Sequence, residues 1–233
     1  MQTRAIASLA VAALLGACGV ASAETITLRS GQVAGSPGIA GQSDDTVTYL
    51  PNNPGGAPIS ASAFTAADFG GSVSGPAAVV INPVSVWAPG ISDTAARWIN
   101  FGVQQFGGLG VSGSSLYAIQ FNVTTPGATF AQLNLELAVD DSAGDLLFGG
   151  ANPDFLYING TPVLASTSPN YATPTFYNPV IPVSTGLNTL YLYQRDQGLG
   201  VSGIIFSATI TIPTPGAAAV LGLGGLLATR RRR

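Results

Sequence analysis

The chain has no histidine and no lysine, and its single cysteine is Cys18. These absences exclude Ser-His-Asp triads, Cys-His pairs, Schiff-base lysines and histidine-ligated zinc in the body of the protein. Charge is scarce as well: 8% of the 233 residues are charged, against roughly 25% in an ordinary soluble domain. All eight basic residues are arginines, with Arg4 near the start and Arg230, Arg231, Arg232 and Arg233 at the end. Between residues 24 and 212 only Arg29, Arg97 and Arg195 oppose 11 acidic residues, a net charge of −8. Such a body repels phosphate backbones, so no nucleic-acid partner is expected. A carboxylate pair is the one hydrolytic chemistry left, with Glu136, Asp140, Asp141 and Asp145 as candidates. Strand parity puts Glu136 on a wet face as a solvated charge, so the chain is expected to have no catalytic activity of its own.

What the sequence does contain is turns and alternation. It has 30 Gly and 16 Pro, and 46% of its residues are hydrophobic. Between the turns lie runs of period two, the mark of strands with one face buried and one wet. In "LYAIQFNV", Tyr117, Ile119, Phe121 and Val123 alternate with Ala118, Gln120 and Asn122. In "LNLELAV", Leu133, Leu135, Leu137 and Val139 share a face, and in "IIFSATITI", Ile204, Phe206, Ala208, Ile210 and Ile212 do the same. "NTLYLYQ" alternates with its aromatics on one side. Asn159-Gly160 in "DFLYINGTPVL" suits a type I′ hairpin turn, and Pro162 marks an edge strand. "GLGVSG" occurs at 108–113 and again at 198–203, each leading into a strand. No convincing helix-period segment appears between 24 and 212, and 50–76 reads as a long loop with a short strand. Residues 24–212 are therefore expected to form one all-β antiparallel sandwich or barrel.

The two ends read as addresses. Arg4, the 13-residue apolar stretch 5–17 and the small residues Ala21 and Ala23 of "ASA" form a secretory signal peptide, residues 1–23, cut after Ala23. "LLGAC" offers an alternative, a lipoprotein anchored at Cys18. At the other end, the 14 residues 216–229 would reach about 21 Å as a helix, short of the ~30 Å hydrocarbon core. Pro213 and Pro215 stop the preceding strand, and four terminal arginines would stay on the cytoplasmic side. This describes a transient hook in the inner membrane.

Residues 213–233, with Pro213, Thr214 and Pro215 before an apolar stretch and the Arg230–Arg233 cluster, resemble a PEP-CTERM sorting signal. The resemblance implies an exosortase-type processing enzyme as partner and delivery to the cell surface or extracellular matrix. Thr214 stands where the usual motif has Glu. The body, over about residues 29–212, resembles the galactose-binding-like jelly-roll domains of secreted PEP-CTERM proteins. "AARWINFG", "LELAVDDSAGD", "LYINGTPV" and "GIIFSATITI" carry that likeness, with an insertion at 146–155. It implies a single jelly-roll β-sandwich.

Two ligand classes fit the remaining residues. Asp140, Asp141 and Asp145 in "DDSAGD" could supply three of the six to eight oxygens that calcium takes, with Asp154 joining if the inserted loop folds back. Ser43–Asp45 is a weaker cluster whose simpler reading is a turn. A carbohydrate needs an exposed aromatic platform; Trp98 is the candidate contact, after weighing Trp87, Tyr191 and Tyr193. The expected protein is a non-catalytic surface or matrix component. The alternative is a carbohydrate-binding surface protein, with exopolysaccharide as partner.

Overall fold

Alternation in the sequence becomes an antiparallel sheet in the computed structural model, which describes residues 23–50, 59–60, 62–105, 107–145, 149–165, 170–198 and 200–213. The strands in chain order are β1 (Glu24–Arg29), β2 (Gln32–Val33), β3 (Ser36–Pro37), β4 (Ser43–Tyr49), β5 (Ala77–Val80), β6 (Ile99–Asn100), β7 (Ser115–Val123) and β8 (Phe130–Val139). They continue as β9 (Ser142–Ala143), β10 (Asp154–Ile158), β11 (Thr161–Ala165), β12 (Thr175–Tyr177), β13 (Val180–Pro182), β14 (Gly186–Arg195) and β15 (Ile204–Ile212). Among the described residues there is one helix, α1, spanning Ala66–Val73.

A single curled sheet runs β11-β10-β14-β7-β4-β5-β6-β15-β8-β12, with β1 beside β15, β13 beside β8 and β9 beside β14; β2 and β3 form a separate ribbon. The arm containing β10, β14 and β7 folds over the arm containing β15 and β8. Their facing residues, among them Tyr117, Ile119, Leu133, Leu135, Leu190, Leu192, Phe206 and Ile210, form one core. This is a jelly-roll β-sandwich, as the alternation indicates. Each fully buried aliphatic or aromatic side chain there contributes about 1.5–3 kcal/mol relative to exposure.

The hairpin at Asn159-Gly160 has φ of 53° and 79°, the positive values a type I′ turn requires. Pro162 sits on β11, the outermost strand of its arm.

Two features depart from the sequence reading. Among its described residues, the stretch 50–76 holds α1 and no strand. Thr65 caps it, accepting from the Asp68 amide while Asp68 accepts from the Thr65 amide, a reciprocal capping box. This helix, with Phe64 and Phe69, covers the outer side of β7, β10 and β14, so Tyr157, Tyr191 and Tyr193 lie in a second core. Glu136 does point outward, but it is only 8% exposed. The backbone amide and hydroxyl of Ser92 both donate to its carboxylate, at 3.0 Å each.

Ala23 directly precedes β1 and Pro213 directly follows β15. The two strands pair, with Glu24 opposite Ile212, so both ends of the body leave from the same corner. Ala21, Cys18, Thr214, Pro215, Arg230, Arg231, Arg232 and Arg233, and the expected C-terminal apolar helix, lie outside the described residues. Among the described residues no helix is long and apolar enough to cross a membrane.

Candidate metal centre

The sharpest concentration of charge lies where β8 ends. After Val139 the chain turns through Asp140 and Asp141, and Asp141 adopts φ 65°, a left-handed conformation that Asp tolerates better than most residues. The short strand β9 then pairs with the end of β14, Ser142 opposite Arg195 and Ala143 opposite Gln194. That pairing brings Asp196, the residue after β14, against the turn. One carboxylate oxygen from each of Asp140, Asp141 and Asp196 lies within 4.8 Å of the others.

The three carboxylates differ in how they are satisfied. Asp141 Oδ2 accepts from the Gln197 amide at 2.6 Å. Asp196 is fully buried; its Oδ2 accepts from Ser112 Oγ at 2.7 Å. Its Oδ1 is also buried and receives no hydrogen bond. A buried carboxylate oxygen without a donor is costly. Burial, then the charges of Asp141 and Asp196, push the Asp140 acid up to about 7. Burial and Asp196 push Asp141 up as well. Three carboxylates gathered here, those of Asp140 and Asp196 buried and that of Asp141 half-buried, make a candidate cation site. The donors are all hard oxygens, which suits calcium or magnesium and not a thiophilic metal.

The set is Asp140, Asp141 and Asp196, not Asp140, Asp141 and Asp145. Asp145 turns inward, 1% exposed, and faces Arg195 with Nε–Oδ1 at 3.4 Å. It also accepts from the Tyr193 hydroxyl at 2.7 Å and the Asn152 amide at 3.1 Å. Its oxygens are committed to holding β9, β14 and the 149–153 loop together. Asp154 opens β10 and is not part of the cluster. A strand end followed by "RDQG" is a weak hint of a turn carboxylate. The β9–β14 pairing that recruits Asp196 has no sequence signature.

The other candidates resolve differently. Asp44 is 2% exposed. Its oxygens accept from the amides of Gly31, Thr46 and Val47 at 2.5, 2.8 and 3.1 Å, so it is a structural brace, though Ser43–Asp45 open strand β4 and are not the turn expected. Trp98 is 1% exposed. It stacks on Trp87 with centroids 4.4 Å apart, and its indole N–H donates to the Ala88 carbonyl. It underlies a cleft of about 210 Å³ without presenting a face to solvent. Trp87, Tyr191 and Tyr193 are buried too. Among the described residues, the aromatics offered to solvent are Phe176, Phe130 and Tyr171, none of them singled out by the alternation.

No protein-family model matches the chain, and neither does any curated protein. Solved structures match it only weakly. A family 35 carbohydrate-binding module from an environmental isolate is 13% identical, covering 74% of this chain and 96% of its own, with a TM-score of 0.34. A second module of family 35, from Clostridium thermocellum, is 14% identical over 57% of this chain and 86% of its own, TM-score 0.33. The GH26-CBM35 β-(1,4)-mannanase of Podospora anserina matches at 14% identity and a TM-score of 0.33 over 59% of this chain, which spans 26% of that enzyme. Likeness at this level assigns no ligand to the chain.

Proposed function

We propose that this protein is an exported, non-catalytic surface or matrix component whose β-sandwich is clamped at one end by calcium bound to Asp140, Asp141 and Asp196. The observation that carries the reading is Asp196 Oδ1, buried, without a donor, beside two further carboxylates. A cation there would tie the end of β8 to the end of β14. The role is mechanical: residues 24–212 hold no histidine, lysine or cysteine to act as nucleophile or base. In this reading the N-terminal signal is removed after Ala23. The tail hooks the inner membrane until an exosortase-type enzyme acts near Pro213–Pro215. The shared corner of β1 and β15 supports it, since both processing points then leave the folded body at one place. Thermal unfolding of the secreted chain in calcium and in chelator tests the clamp. Calcium at a hundredfold excess over Kd should raise Tm by about 5–10 °C, and an identical midpoint in both buffers would remove the metal from the account.

A second reading, a carbohydrate-binding surface protein, is favoured by an aromatic ring, Phe176, that stands 69% exposed among neutral amides and hydroxyls.

A further inference from the structure

The pairing of β1, β15, β8, β12 and β13 lays their outward side chains in rows. Arg29, Ser207, Glu136 and Phe176 form one row, since Arg29 pairs with Ser207, Ser207 with Glu136 and Glu136 with Phe176. Thr27, Thr209 and Asn134 form the next. Thr25, Thr211, Gln132 and Val180 form the third. With strands about 4.8 Å apart and alternate residues about 6.8 Å apart, this is a face roughly 14 Å on a side.

Its chemistry is unusual for a solvated sheet. Its two charged side chains, Arg29 and Glu136, are both taken. Arg29 Nε donates to Asp93 Oδ2 at 2.5 Å, and Ser207 Oγ donates to the same oxygen at 2.7 Å. Glu136 is held by Ser92. Apart from the exposed apolar side chains of Phe176 and Val180, the rest of the face is hydroxyl and amide. Among the described residues, the side chains of Thr27, Thr209 and Asn134 make no hydrogen bond to the protein. A groove of about 280 Å³ opens here, lined by Asn134, Glu136, Phe176, Asn178, Ser207 and Thr209.

We propose that this face binds a neutral polysaccharide chain, with the Phe176 ring as its stacking platform and Asn134 and Thr209 as its hydrogen-bonding groups. The inference rests on the carbohydrate-binding reading and gives it a location. A sugar ring presents an apolar C–H face and a rim of hydroxyls that both donate and accept. An exposed aromatic beside neutral amides and hydroxyls answers both needs. Among the described residues the cation of this face, Arg29, is paired with Asp93, and the −8 body would repel a polyanion. A protein partner is a poorer match, because interface centres favour several aromatics, Met and Arg over hydroxyls. The Asp140–Asp141–Asp196 cluster takes no part, so this face works independently of the calcium clamp.

Native-gel affinity electrophoresis of the secreted chain against galactomannan, arabinoxylan and dextran, with alginate as the acidic control, tests the proposal. At least one neutral polymer should retard the protein and alginate should not, with or without chelator. Phe176→Ala should weaken retardation about three- to tenfold, Phe176→Trp should retain it, and neither should move Tm. Asn134→Ala should weaken binding without unfolding the sheet. Three results overturn the proposal. If no neutral polymer retards the chain, the carbohydrate-binding reading falls with it. If Phe176→Ala binds like the unaltered protein, the location is wrong while that reading stands. If binding is lost on Asp196→Asn but not on Phe176→Ala, the ligand belongs at the metal centre.

Discussion

Ser112 Oγ donates to Asp196 Oδ2 across 2.7 Å, joining the first GLGVSG turn to the strand end that feeds the second. The two turns are packed against each other. Ser202 Oγ lies within hydrogen-bond reach of the carbonyls of Val111 and Gly113, at 3.1 and 2.9 Å, and shares its one proton between them, and Gln104 Nε2 donates to the carbonyls of Gly110 and Gly200 at 2.9 and 3.2 Å. The repeated hexapeptide thus builds one double turn behind the acidic cluster.

That packing makes Gly110 irreplaceable. A β-carbon there would lie 2.0 Å from the Ser202 carbonyl oxygen, a backbone atom that cannot swing away. Gly110→Ala should cost about 1–3 kcal/mol in urea unfolding. Gly90→Ala, with nothing within 4 Å of the added carbon and no positive φ, should stay within about 0.5 kcal/mol.

Asp196 and Asp145 should part ways under chelation. Asp196→Asn removes a buried like charge, so in EDTA it should be as stable as the unaltered protein or more so, and it should lose the calcium response. Asp145→Ala removes the carboxylate ion-paired with the buried Arg195 guanidinium, and should cost about 3–5 kcal/mol in both buffers. Paired melts of the two variants, with and without calcium, read both effects. Equal calcium responses in Asp196→Asn and the unaltered chain would count against the site.

Glu24 sets an acid-sensitive latch. Its Oε1 accepts from the Thr124 amide at 2.8 Å and hydroxyl at 2.9 Å; its Oε2 accepts from the Thr125 amide at 2.8 Å and hydroxyl at 2.7 Å. Burial acts to raise the acid, but these bonds outweigh it and hold it down at about 2. A carboxylate depressed in the folded state stabilises fully above its unfolded value of about 4.5, and that contribution fades as pH falls toward 2. Denaturant unfolding of the native chain should therefore weaken between pH 5 and pH 2 more steeply than that of Glu24→Gln, and the two should differ most above pH 5.

Processing is read from mass. The exported protein should begin at Glu24 and lack Arg230–Arg233. A diacylglycerol adduct on Cys18, or a mass that retains Arg233, would contradict the sorting account, the first in favour of a lipoprotein.

The sequence by itself determined which side of each long strand faces inward, and where the Asn159-Gly160 hairpin bends. Both follow from local rules: period-two alternation sets the face, and backbone dihedral preference sets the turn. It also marked Asp140 and Asp141, because a doublet of acids at a strand end is a local event. Tertiary structure alone decided that Asp196 completes the cluster and that Asp145 is given to Arg195, since both depend on β9 pairing with β14 across more than 40 residues of chain. It decided as well that Trp98, Trp87, Tyr191 and Tyr193 are enclosed while Phe176 is not. Alternation says which face a side chain takes; whether a loop, a helix or only water covers that face depends on contacts distant in sequence.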